Sequence, residues 1–196
     1  MTEHELAETD VIDHAELATV MPLPQRNVEA PRPDVLSDSG VIVFSVDENV
    51  IDSMHQAARD RFPVHVASNI VQVVEILTES RPGVLVTDVT HDRNTIQVMT
   101  GRLKQILPEL VTIIVSEHRD ALDMIWLINH GQIFRFLRKP VSAGRCAVSI
   151  QAALQHHESL RANPMLADRH AVDDAGDAGV LSGVFDTLKS VRRLWA

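Results

Sequence analysis

The stretch "GVIVFSVDENVIDSMHQAARDRF", residues 40–62, changes its period half-way along. Its opening, "GVIVFS", is an apolar run of strand length behind a glycine. Its continuation repeats every three to four residues instead. Val50, Ile51, Met54, Ala57 and Ala58 fall on one helical face, and Pro63 ends the pattern. A buried strand that feeds an amphipathic helix is half of a strand–helix–strand unit. The fold is decided by whether the unit repeats.

It repeats along the chain. "VHVAS" is a second short strand, followed by the helical "NIVQVVEILTESRP" with Ile70, Val73, Val74 and Leu77 as its stripe and Pro82 as its stop. "GVLVTDV" precedes the helical "IQVMTGRLKQIL", which Pro108 breaks. "VTIIVS" precedes "RDALDMIWLINHG", and "IFRFLRKP" precedes the long "SAGRCAVSIQAALQHHESLRA", with Ser142 as its N-cap. Alternating strands and helices imply parallel pairing with right-handed crossovers. Continuous Val/Ile/Leu strands imply that both faces are covered. The expected architecture is α/β: an open, doubly wound, five-stranded parallel sheet of flavodoxin-like type with helices on both faces.

The flanks differ in character. Residues 1–39 mix Pro22, Pro24, Pro31 and Pro33 with acids and read as a disordered arm. Residues 1–40 carry nine acidic groups against two arginines, a balance of −7 out of −9 for the whole 196-residue chain. The folded domain is expected over residues 40–162, a polar linker over 163–179, and an amphipathic helix over 180–196. The stripe of that last helix is Leu181, Val184, Phe185, Leu188, Val191 and Trp195. It suits either folding back on the domain or docking on a partner.

Composition excludes several classes. A net charge of −9 argues against a nucleic-acid footprint. No apolar run is long enough for a membrane span, and the acidic N-terminus lacks the basic and apolar regions of a signal peptide. The single cysteine, Cys146, precludes an internal disulfide, fits a cytoplasmic setting and is expected as a small core residue. No glycine-rich phosphate loop is present, which argues against nucleotide chemistry. Consecutive His156, His157 and Glu158 do not share a helix face, so they make no metal site.

Ligand sites in such sheets lie outside the carboxyl ends of the strands. Asp88 stands where the third apolar run gives out, Ser116 closes the fourth, and Lys139, followed by Pro140, ends the fifth. A lysine at a sheet edge is rarely left unpaired, so Lys139 is expected to pair with Asp88 at a solvent-open rim. On spacing alone, this trio is equally a structural ion pair and a reactive site.

The order of these elements resembles the receiver domain of bacterial response regulators, over about residues 40–158. The tract "INHGQIFRFLRKPV" is similar to receivers that stand ahead of cyclic-dinucleotide phosphodiesterase modules. The resemblance implies that Asp88 accepts a phosphoryl group from a sensor histidine kinase or phosphotransfer protein. It implies that Ser116 and Lys139 bond the phosphoryl oxygens, and that Ser116 and Phe136 report the switch. It implies no enzymatic activity beyond this transfer, and output by protein contact to a partner. Dimerisation would use the face of the fourth helix, fifth strand and fifth helix, where Trp126 is a candidate anchor, or the C-terminal helix.

The chain departs from the family at two places. The family holds Mg²⁺ with a pair of acids after the first strand. Here Ser45 and Val46 take those positions in an ungapped alignment, and Asp47 follows. Mg²⁺ at Asp47 and Asp88 is therefore expected to be weak or absent, since a valine supplies no oxygen ligand. After Asp88 the family has a Pro and then a Gly, where this chain has Asp92 and Ile96. His91, Asp92 and Arg93 read as a solvated loop. The alternative function is a phosphorylation-independent pseudo-receiver that acts as a protein interaction module.

Overall fold

The computed structural model describes residues 39–59, 61–88, 93–117, 133–163, 165, 166 and 182–193. The N-terminal arm, the expected fourth helix with Trp126, His91, Asp92, most of the linker, Leu181 and Trp195 lie outside the described residues.

Five strands form one parallel sheet: β1 (Val41–Phe44), β2 (Val64–Ala67), β3 (Val84–Asp88), β4 (Val111–Ser116) and β5 (Arg135–Arg138). Their order is β2-β1-β3-β4-β5, and every pairing is parallel. The helices are α1 (Glu48–Ala58), α2 (Ile70–Ser80), α3 (Arg93–Ile106), α4 (Ala143–Ala162) and α5 (Ser182–Arg193). The expected doubly wound α/β sheet is the observed one.

The period-two alternation of each strand divides the core in two. Val41, Val43, Val84 and Val86 face α1 and α4. Ile42, Phe44, Leu85 and Ile114 face α2 and α3. The central strands β1, β3 and β4 are buried throughout. The edge strands are not: β2 and β5 are partly exposed, because each has a neighbour on one side only.

Local chemistry sets the helix ends. α1 stops at Ala58, four residues short of the expected end, because Arg59 takes a left-handed conformation with φ 41° and closes onto the His55 carbonyl. The side chain of Asn69 caps α2. Ser142 occupies the N-cap position of α4, yet its hydroxyl makes no cap bond. Cys146 is fully buried, as expected.

His157 is buried. One ring nitrogen meets the Glu109 carbonyl at 2.8 Å. The ring also lies so close to Gly83 that a Cβ there would come within 2.4 Å of it.

The C-terminal helix folds back. α5 packs against α2 and α3, and Phe185 and Leu188 are buried in the same cluster as Val73, Leu77, Met99 and Leu103. α4 and α5 therefore lie on opposite faces of the sheet.

Candidate functional site

Four chain segments deliver side chains to the carboxyl edge of the sheet. β1 ends at Phe44, and the next residue, Ser45, is buried. Asp88 is the last residue of β3 and Ser116 the last of β4. Lys139 follows β5 directly, and its backbone N–H donates to the Ser116 carbonyl at 3.0 Å. Asp47 is the N-cap of α1. This edge includes the point between β1 and β3 where the strand order reverses, the usual place for a site in such sheets.

Lys139 is the centre of the cluster. Its Nζ donates to Asp88 Oδ2 at 2.7 Å and to Asp47 Oδ2 at 2.6 Å. The Ser45 hydroxyl donates to Asp88 Oδ2 at 3.0 Å and accepts from the Asp47 backbone N–H at 3.0 Å. Asp47 Oδ1 accepts from the Asn49 N–H at 3.0 Å, which fixes the first turn of α1. One carboxylate thus serves as both helix cap and lysine partner. The expected Lys139–Asp88 pair is present, but the rim is not solvent-open. The side chains of Asp88 and Lys139 are 1% and 8% exposed, against 26% for Asp47.

Electrostatics follow from these contacts. The hydrogen bond from Lys139 holds the Asp47 carboxyl below its usual value, against a smaller opposing effect of burial. Burial disfavours the Lys139 ammonium, but its hydrogen bonds to Asp47 and Asp88 outweigh that and hold the group above its usual value. Asp88 Oδ1 is different: it is buried and has no hydrogen-bond partner. Such an atom is costly unless a ligand or a reaction uses it.

Of the remaining candidates, Ser116 is buried one strand away from Asp88. Phe136, half-buried on β5, packs toward the α2–α3 side of the core. The ion cluster opens on a cavity of about 780 Å³, whose wall includes Asp47, Asp52, Glu117, Arg138 and Lys139. Sequence reasoning did not single out Ser45 as a donor to Asp88 or Asp47 as a helix cap. The Asp47-x-Asn49 spacing at the start of a helical stripe was the available signal for the second.

The donor set fits a tight Mg²⁺ site poorly. Mg²⁺ requires near-octahedral oxygen ligands, carboxylates among them. Ser45 offers a neutral hydroxyl already bonded to Asp88, and Val46 is 58% exposed and offers nothing. The ammonium of Lys139 already bridges the two carboxylates, leaving one net negative charge that a dication would reverse. Among the described residues no group of three His, Cys, Asp or Glu side chains converges as a metal site.

No protein-family model matches the chain, and no curated protein matches it either. Solved structures do. A response regulator receiver domain from Clostridium thermocellum is 25% identical with a TM-score of 0.53, covering 62% of this chain and 98% of that one. The signal receiver domain of an HD domain-containing protein from Pseudomonas fluorescens Pf-5 is 19% identical with a TM-score of 0.55, covering 62% and 98%. An adenylate cyclase from Rhodopirellula baltica is 17% identical with a TM-score of 0.56, covering 66% and 97%. The fold shared with these domains is the receiver fold.

Proposed function

We propose that this receiver-fold domain is a signalling module whose output is protein contact, and that its Asp88 site is a metal-independent ion-pair node. The observation that carries this reading is the set of atoms around Asp88. A serine hydroxyl and a bridging ammonium stand where phosphoryl transfer to a carboxylate needs a strong divalent counter-charge. The node has a structural output of its own. Through Ser45 and Asp47 it is bonded to the first turn of α1 beside the rim cavity. No described helix is long and apolar enough to cross a membrane.

A second reading is favoured by the unpartnered, buried Asp88 Oδ1. In it, Oδ1 attacks the phosphorus of a phosphohistidine on a sensor kinase or phosphotransfer protein. The P–N bond breaks and an acyl phosphate forms. Lys139 balances the added charge, Ser116 bonds a phosphoryl oxygen, and Phe136 repacks. The two readings separate in one experiment. The protein is incubated with Mg²⁺ and a small phosphodonor, and its intact mass is measured. The first reading expects an unmodified chain. The second expects a gain of one phosphoryl group that Asp88→Asn abolishes.

A further inference from the structure

We propose that the groove between α2 and α3 is a helix-docking site that takes residues 182–193 in trans as well as in cis, so that two copies of this chain pair by exchanging their C-terminal helices. The inference is independent of whether Asp88 is phosphorylated. It starts from how α5 is attached. Phe185 and Leu188 are 1% and 0% exposed, buried among side chains of α2 and α3. Asp186, Thr187, Lys189 and Ser190 are exposed, and Val191 is half-buried. The contact is centred on Phe185 and Leu188 seated in one groove, a form of helix-in-groove recognition.

The second observation is where the helix starts from. α4 ends at Ala162 on the α1 side of the sheet, whereas α5 sits on the opposite side. The 18 residues between Asn163 and Ser182 must carry the chain around the sheet. Crossing a sheet with a helix layer on it requires on the order of 20 Å. A second copy's α5 would make the same contacts with the same residues. Nothing in the groove distinguishes the two arrangements, so the balance lies in the tether and in protein concentration alone. The occupant is fixed by this argument: it is the chain's own helix, carried by a neighbour.

The test shortens the tether. Deleting residues 165–179 leaves three residues, four Cα–Cα steps with an extended reach of at most about 14 Å, too short for the cis arrangement. Sedimentation velocity should then report a dimer, and adding Phe185→Asp with Leu188→Asp should return it to monomer. A folded, monomeric deletion variant would overturn the proposal. A second measurement guards against a deletion variant that fails to fold. A protease site is placed between residues 167 and 179 of the full chain, the protein is cleaved, and a labelled peptide of residues 180–196 is added in excess. The cut domain should take up the peptide saturably, at least ten-fold more tightly than the uncut chain does. If the cut domain takes up no peptide, the groove does not accept the helix in trans.

Discussion

Replacing Lys139 by methionine removes the ammonium and keeps much of the side-chain volume. The cost depends on how buried the stranded partner is. If the pair sat at an open rim, water would take the lysine's place and the loss would stay below about 1 kcal/mol. Asp88 is only 1% exposed, however, and Lys139 only 8%. Without the ammonium, the Ser45 hydroxyl alone donates to Oδ2 among the side-chain bonds described above, while Oδ1 has no partner. Removing one partner of a buried pair costs about 3–5 kcal/mol. Asp47 at 26% exposure recovers water, so the expected loss is near the lower figure, about 3 kcal/mol.

The loss also depends on pH. Asp47 is held below its ordinary 3.8 by its bond to Lys139, so this stabilisation is present above about that pH and is lost as pH falls through the lowered folded value. Lys139 is held above its ordinary 10.5, so its contribution is present below that value and is lost as pH rises through the raised one. Urea denaturation of wild type and Lys139→Met from pH 3 to 11 should show a difference that is flat between these limits and shrinks beyond each. Adding Asp88→Asn to Lys139→Met should recover most of the loss, since a neutral amide needs no cation. A difference under about 1 kcal/mol at pH 7, or one that ignores pH, would refute the buried-node description.

Two further outcomes follow from the same structure. Wild type should show no saturation of Mg²⁺ binding below the millimolar range, followed by backbone amide shifts near Asp88. Ser45→Asp with Val46→Asp should bring saturation into that range, because it supplies the carboxylates that the edge lacks. Lys104 is 6% exposed and donates to the Leu110 carbonyl, and burial lowers its pKa from 10.5 to about 8. The unfolded chain then holds the proton more tightly, so wild-type stability should rise as pH goes from 8 to 10.5. Lys104→Met should stabilise the protein at pH 7 by about 1–2 kcal/mol, the ammonium's burial cost less one hydrogen bond. That gain should fade by pH 10.5 in thermal melts; a gain that persists there would exclude burial of the ammonium as its cause.

The sheet was legible in the sequence because its signals are local. Val41 to Phe44 and Val84 to Val86 are continuous β-branched or apolar runs, and buried strands require no more than that. Val50, Met54 and Ala57 face the core, as their spacing requires. The strand-end position of Asp88 and Lys139 follows from the same runs, so their pairing was legible as well. What was not legible depends on neighbours distant in sequence. Sequence spacing says only that His156, His157 and Glu158 share no helix face; that His157 is buried depends on Gly83 before β3 and the Glu109 carbonyl before β4. The end of α1 at Ala58 rests on a left-handed Arg59, a conformation that sequence seldom signals outside glycine and asparagine. The burial of Lys139 depends on how closely Ser45, Asp47 and Asp88 converge across 92 residues of chain, which no local pattern encodes. The stripe of the C-terminal helix was visible, but not the surface that covers it: nothing local in residues 182–193 names α2 and α3.

The most direct test of Asp88 as a metal-independent node is the intact mass of the full chain after incubation with saturating Mg²⁺ and a small phosphodonor at neutral pH. Wild type should retain its unmodified mass, and the variant with Ser45→Asp and Val46→Asp should gain one phosphoryl group at Asp88. A wild-type chain that gains the same group, with Asp88→Asn remaining unmodified, would contradict the node and establish Asp88 as a phosphoacceptor.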